Sequence, residues 1–496
     1  MRLLRTTSAL VALIAATPAL AQAPTTADLE ALVRAQAAEI AALRGRLDRL
    51  EAQQTVPPDP ASTAPPQATV PVEGTAAPVV AVTRPFAPQI VPPGPAERNV
   101  AQVEAANEAG VTTEWGAGLP VFHSADGIFT YKPRGRILTD VSSTFGSDVD
   151  ARNITTTGMR ALRLGIEGGV GTQFFYQFES DFSENEVDVV TAFIGWRNRI
   201  GTGMDYDVRA GHLFNDRSFE GSTGSDSTPF MERTAVATAI IPQRGFYGIG
   251  IMPRLFWSRG HASLTITGDR VDGNQAVSDS RTALGRVHWN PVKEPRRVLH
   301  IGLWGFDESL SQVAGTLTRN TVIGGRFNGA LRVSTGPLLG GTGTTGYGAE
   351  LGGYVGPVWL MAEAGQRHAR LDGGRPDFTS QAWSLSGGWF VTGDLPPYNP
   401  RLGSFGQPSV LRPVFDGGPG AIELTARYEN LDFTDIATGG RGWAATIGAN
   451  WYLNSFTRLQ LNAIHWNTEA PATQTAGPAA GSDDGNTVSA RIGVTF

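Results

Sequence analysis

Beyond about Asp126 the chain alternates between apolar side chains and small or polar ones. Trp443, Ala445, Ile447, Ala449 and Trp451 share one face of a period-two segment, and Ala444, Thr446, Gly448, Asn450 and Tyr452 share the other. Leu162, Leu164 and Ile166 oppose Arg163, Gly165 and Glu167; at the end of the chain Ile492, Val494 and Phe496 oppose Arg491, Gly493 and Thr495. Successive strand residues point to opposite faces, so this pattern predicts strands with one apolar face. Asp-Gly pairs at 126–127, 272–273, 372–373, 416–417 and 484–485 read as turns between them, and the Gly/Thr-rich stretch from Gly336 to Gly348 as a loop.

The first 98 residues follow other rules. Residues 1–21 read as a secretory signal peptide, with Arg2 and Arg5 before an apolar run from Leu10 to Ala16 and a small-x-small site at Ala19–Ala21. Over residues 26–54, Leu29, Val33, Gln36, Ile40, Leu43, Leu47 and Leu50 recur in steps of four and three. That seam predicts a short α-helical coiled coil, with an amphipathic helix packed on its own domain as the alternative. Residues 55–98 hold twelve prolines among Ala, Val and Thr, the composition of an extended linker that buries no core.

Composition narrows the class. The chain has no cysteine, which excludes a disulfide scaffold, a Cys-ligated zinc site, an iron–sulfur centre and a thiol enzyme. A formal net charge of −6 argues against nucleic acid as a partner. No His-x-x-x-His pair, nucleotide-cradling Gly-Lys-Ser/Thr loop or Gly-x-Ser-x-Gly elbow is present, so neither an enzyme nor a metal or other cofactor is expected. Alternation alone fits a secreted β-sandwich binding module. A transmembrane antiparallel β-barrel over residues 126–496 fits better, for four reasons. The signal peptide exports the chain. Charge on the non-apolar face, as at Arg163 and Glu167, suits a wet lumen. Trp451, Tyr452, Trp389, Phe390, Phe174 and Phe175 lie where aromatic girdles belong, and Phe496 closes the last strand. A hydrophobic content of 41% is modest for a globular core and matches a sheet that buries only its outer face, in lipid. The region accommodates twelve, sixteen or eighteen spans of about ten residues plus connections.

Several segments, in order, carry a family resemblance: GRILTD (Gly135–Asp140), MRALRLGIEGG (Met159–Gly169), FMER (Phe230–Arg233), NPVKEPRRVLHIGL (Asn290–Leu303), GANWYLN (Gly448–Asn454) and the terminal strand. The region resembles the phosphate-selective porin O/P family of bacterial outer membranes. That resemblance implies an all-β barrel of about 16 strands in a homotrimer, often led by a coiled coil. It also implies lumen arginines, with loop lysines, that draw anions through a narrow eyelet. Arg136 and Arg160 fall on the family's pore-arginine positions. Strand parity adds Asp140 on the face of Arg136, then Arg163 and Arg209; FMER adds Arg233. Arg160 phases with Leu162 and Leu164, so an inward Arg160 requires a bulge or a rim position.

The chain also departs from the family. Ala161 stands where a second arginine is common, and lysine occurs only at Lys132 and Lys293. The segment Asn215–Pro229 carries Asp216, Glu220 and Asp226 against Arg217 alone. These departures predict passive diffusion of small polar solutes and ions through the Gram-negative outer membrane, rather than strict phosphate specificity. Any anion preference would come from the lumen arginines. The N-terminal stalk would sit in the periplasm. A further alternative makes the barrel chiefly an anchor, with the coiled coil binding peptidoglycan or other periplasmic partners.

Overall fold

The computed structural model describes residues 112–114, 119–184, 186–269, 280–311, 316–471 and 480–496. The signal peptide, coiled coil and proline-rich linker expected over 1–21, 26–54 and 55–98 lie outside them.

Among the described residues sixteen long strands each pair antiparallel with the next in sequence. They are β1 (Phe129–Phe145), β2 (Thr155–Val170), β3 (Phe174–Asp181), β4 (Asp188–Ile200), β5 (Met204–Phe214), β6 (Tyr247–Trp257), β7 (Gly260–Thr267) and β8 (Arg281–Glu294). The second half comprises β9 (Arg297–Ser309), β10 (Gly341–Val355), β11 (Val358–Leu371), β12 (Phe378–Phe390), β13 (Ala421–Asp432), β14 (Arg441–Tyr452), β15 (Thr457–Ala470) and β16 (Gly481–Thr495). β16 pairs back onto β1, from Asn486 opposite Phe145 to Thr495 opposite Arg136, so the sheet is a closed barrel without a free edge. Closure settles the choice of sixteen strands and sets the sandwich aside. It also leaves neither edge of the sheet unpaired, as a sheet in lipid requires. The last residue completes the seam. Phe496 and Gly135 exchange backbone hydrogen bonds of 2.9 and 2.8 Å. A Cβ at position 135 would stand 2.6 Å from the Phe496 ring and 2.7 Å from the Arg163 carbonyl oxygen, so only glycine admits the terminal ring there.

Parity assigns the faces as the sequence suggested. Ile447 and Leu164 are 67% and 53% exposed, whereas Thr446 and Arg491 are 5% and 3% exposed. The paired aromatics behave differently from the expectation of a girdle. Trp451, Trp389 and Phe174 face outward, but Tyr452, Phe390 and Phe175 turn into the lumen, because neighbours on a strand cannot share a face. Two turn assignments also fail. Asp484-Gly485 lies inside β16, and the Gly/Thr stretch from Gly341 to Gly348 is the first half of β10. Glycine suits β10 because inner aromatic rings cross it: a Cβ at Gly348 would meet Trp304 at 2.3 Å and one at Gly346 would meet Phe306 at 2.4 Å. The pairs at 126–127, 372–373 and 416–417 do form turns, and 272–273 lies outside the described residues.

Apolar side chains are not confined to the outer face. Three connections fold into the barrel: 215–246 between β5 and β6, 316–340 between β9 and β10, and 391–420 between β12 and β13. The first two leave from one end. The third leaves from the opposite end, where the other connections are short turns such as 171–173 and 201–203. The first segment carries the one-turn helices α1 (Phe219–Ser222) and α2 (Ala235–Ala239). Val236 of α2 and Ile240, which caps its C-terminus, pack with Leu331 and Val333 against Trp304, Phe378 and Trp466 of the wall. Phe219 and Phe230 meet Phe405 and Val410 of the third segment against Trp359, Phe390 and Tyr452. Segments from both ends thus share one apolar cluster inside the barrel, and burial of this kind holds them in place at roughly 25 cal/mol per Å².

Candidate functional site

The inward segment 215–246 is shaped locally before it docks. Ser218 caps α1 by accepting from the Gly221 N–H at 2.9 Å, and does so at φ 45°, a strained value for a non-glycine residue. Thr234 caps α2 by accepting from Ala237. Arg233 lies on this segment rather than on the wall. Its Nε donates to the Glu220 carbonyl at 3.0 Å and its Nη2 to the Thr223 carbonyl at 2.5 Å, clamping the segment's own main chain.

The acids of the segment land on arginines of the wall. Asp216 accepts from Arg286 Nη1 of β8 at 3.0 Å, and from His261 and Ser263 of β7, each at 2.7 Å. Glu220 accepts from Arg427 Nη2 of β13 at 2.6 Å. Asp226 accepts from Arg136 Nη1 of β1 at 2.5 Å. Glu232 accepts from Arg160 Nε of β2 at 3.0 Å and from Arg491 Nη2 of β16 at 3.4 Å. Burial opposes the charge on Asp216, but Arg286 and His261 hold its carboxyl well below the usual carboxylate range. Burial likewise opposes the charges on Asp226 and Glu232, and Arg136 and Arg160 respectively hold these carboxyls low. Charge-assisted bonds of this kind are about twice as strong as neutral ones. The acidic character of the segment is therefore what fastens it to an arginine-rich wall.

Four of the other candidate residues face the lumen on strands, and the fifth, Arg160, does so through a distortion. Arg136 and Arg163 stand opposite each other across β1 and β2, with Glu179 of β3 3.4 Å from the first and 3.3 Å from the second. Arg163 also donates to Asp181 at 2.7 Å. Asp140 receives both Nε and Nη2 of Arg491, at 2.7 and 2.6 Å. Arg209 lies 3.8 Å from Asp207, which already takes Arg254 at 2.8 and 2.6 Å, and its guanidinium rests over the Phe193 ring at 4.8 Å. For Arg160, the register pairs Leu138 with Ala161 and Thr139 with Met159, leaving Arg160 as an extra residue between them. That bulge turns both Arg160 and Ala161 inward and resolves the parity conflict in the sequence.

Sequence reasoning missed the strongest anchors. Arg286 donates to Glu350 at 2.9 and 2.8 Å, to Asp216, and to the Leu402 carbonyl at 2.9 Å in the segment entering from the other end. Beside it, His261 and His288 approach Nδ1 to Nδ1 at 2.5 Å, and His300 bridges Tyr398 and Glu350 at 2.8 Å each. The alternation around Arg286, Arg427 and Arg491 already marks them as inward, but nothing local names their partners. Arg458 and Arg367 bond a carbonyl and an amide oxygen, Thr228 O at 2.8 Å and Gln243 Oε1 at 3.0 Å. Neither forms an ion pair among the described residues. Nor, among those residues, is any group of His, Asp or Glu arranged to hold a metal ion.

Residues 132–496 match the model of the family described as phosphate-selective porin O and P. An uncharacterized protein of Caulobacter vibrioides is 31% identical over 486 residues, spanning 92% of this chain and 90% of its own length. Similar solved structures include an anion-selective porin from Comamonas acidovorans, with 16% identity, 74% of this chain and 100% of that chain covered, and a TM-score of 0.45. OprB of Pseudomonas putida is 9% identical over 74% of this chain and 94% of its own, with a TM-score of 0.46.

Proposed function

The chain belongs to the phosphate-selective porin O and P family and is an outer-membrane porin, and we propose that it passes small ions and polar solutes by diffusion with a preference for anions. One observation carries the preference. Glu232, a partly exposed carboxylate, stands 3.0 Å from Arg160 and 3.4 Å from Arg491, with Arg233 next to it in sequence and Arg326 of the inward segment 316–340 acting on it as well. Asp140 partners Arg491, so two carboxylates face four guanidinium groups. A surplus of fixed cations in a narrow wet passage concentrates anions and repels cations. Arginine keeps its charge throughout the accessible pH range, so the preference does not depend on a titrating group. Strict phosphate retention is not proposed, because the inward segment brings carboxylates rather than lysines to the wall arginines.

Reversal potentials in a potassium chloride gradient across planar bilayers test this. The wild-type channel is expected to reverse on the anion side. Arg163→Ala is expected to move it toward the cation side, because Glu179 and Asp181 stay on the wall after their partner is lost. A cation-selective wild type would overturn the reading.

The stalk completes the proposal. β1 begins at the end of the short turns, which in outer-membrane barrels is the periplasmic one, so the coiled coil and linker would extend into the periplasm. There the coil would hold a homotrimer together or bind peptidoglycan. Deleting residues 26–98 is expected to leave single-channel conductance unchanged while weakening trimers on unboiled gels or loosening the envelope. Unchanged trimers with an unchanged envelope would sink the stalk's role.

A further inference from the structure

Glu232 differs from the other acids of the inward segment. The side chains of Asp216, Glu220 and Asp226 are 14%, 3% and 10% exposed, and that of Glu232 is 30% exposed. Its bonds are also weaker. Arg160 offers it Nε at 3.0 Å, and the Arg491 Nη2 contact at 3.4 Å is shared with Asp140, which holds the same nitrogen at 2.6 Å. Arg491 Nη1 is buried with no hydrogen-bond partner among the described residues. Glu232 is therefore a lightly held carboxylate between the Arg160 and Arg491 guanidinium groups.

We infer that Glu232 is a tethered counter-anion, whose carboxylate occupies the place between Arg160 and Arg491 that a solute anion would take and so keeps the passage from retaining anions. This rests on the anion-preferring reading above. The physical effect is competition. A group held on a short tether acts at an effective concentration on the order of millimolar. An inorganic oxyanion present at lower concentration does not displace it and passes without dwelling. A permeating anion gains attraction from the surplus charge without finding a vacant fork.

The main chain at this point is fixed by other groups, so the side chain can be changed without releasing the segment. Arg427 Nη1 donates to the Glu232 carbonyl at 2.9 Å, the Met231 N–H donates to Asn462 at 2.9 Å, and the Thr234 N–H donates to Glu220 at 2.8 Å. Glu232→Gln keeps the shape and removes the charge.

The test uses the full-length protein in planar bilayers and reads two quantities: the chloride-to-potassium permeability ratio, and the inorganic phosphate concentration that halves the chloride current. Glu232→Gln is expected to raise the ratio several-fold. It should also lower the half-blocking phosphate concentration by about tenfold, the effect of freeing one charge-assisted hydrogen bond. Glu232→Asp should keep the wild-type ratio, and Glu232→Ala should follow the glutamine variant. If neither quantity moves in Glu232→Gln and Glu232→Ala while Arg160→Ala lowers the ratio, the counter-anion role is wrong and the anion preference stands. If the wild type is cation-selective and Arg160→Ala leaves the ratio unchanged, both fall together.

Discussion

Arg286→Ala is expected to destabilise the folded barrel by about 3–5 kcal/mol, the range for removing one partner of a buried ion pair. Arg286 and Glu350 have fully buried side chains, and Asp216 is nearly so. Truncation would leave two carboxylates, Glu350 of the wall and Asp216 of the inward segment, without their cation. It would also remove the donor that reaches the Leu402 and Gly403 carbonyls, one of the links between the wall and the segment 391–420. The measurement is the urea midpoint of the heat-modifiable band on unboiled gels. A change below 1 kcal/mol would mean that these contacts are not made in the membrane. Arg286→Lys should recover little, since one ammonium cannot offer Glu350 two parallel bonds and reach Asp216 as well. The double variant Arg286→Met, Glu350→Gln should recover more, because it removes charge from both sides.

How much of this was legible in the sequence depends on the range of the interaction. Period two placed Ile447, Leu164 and Ile492 outward and Arg136, Asp140, Arg163 and Arg209 inward, because alternation is a property of a few consecutive residues. It failed at Arg160, where one extra residue in the ladder reverses the parity, and only the pairing with β1 reveals the insertion. It also misassigned Gly341–Gly348, where glycine makes room for Trp304 and Phe306 rings of the neighbouring strand. The lumen contents were least visible. Asp216 meets Arg286 70 residues away, Asp226 meets Arg136 90 away, and Glu220 meets Arg427 207 away. A surplus of acids on one loop and of arginines on alternating strands was readable, and it weakened the expectation of phosphate specificity. That the two populations neutralise each other is a fact of three-dimensional closure.

That neutralisation makes a second substitution informative in an unusual direction. Arg427→Ala removes a lumen cation, so a count of pore charge predicts a weaker anion preference. The docking scheme predicts the reverse. Arg427 holds Glu220 at 2.6 Å and the Glu232 carbonyl at 2.9 Å, and its guanidinium lies 3.9 Å from the centre of the Phe230 ring. Both Arg427 and Glu220 side chains are 3% exposed, so the deserted Glu220 would be buried without its cation at a cost of about 3–5 kcal/mol. The segment relieves that cost by leaving the wall. In doing so it withdraws Asp216, Glu220, Asp226 and Glu232 together with Arg217 and Arg233, so that four acids leave the lumen wall against three cations, Arg427 included. Arg427→Ala is therefore expected to raise single-channel conductance, as the segment vacates the lumen, and to raise the chloride-to-potassium permeability ratio. Arg163→Ala should lower that ratio, since the partners of Arg163 belong to β3 and cannot withdraw. If both variants lower the ratio with conductance unchanged, the acids of the inward segment do not mask the wall arginines, and pore selectivity reduces to a sum of fixed charges.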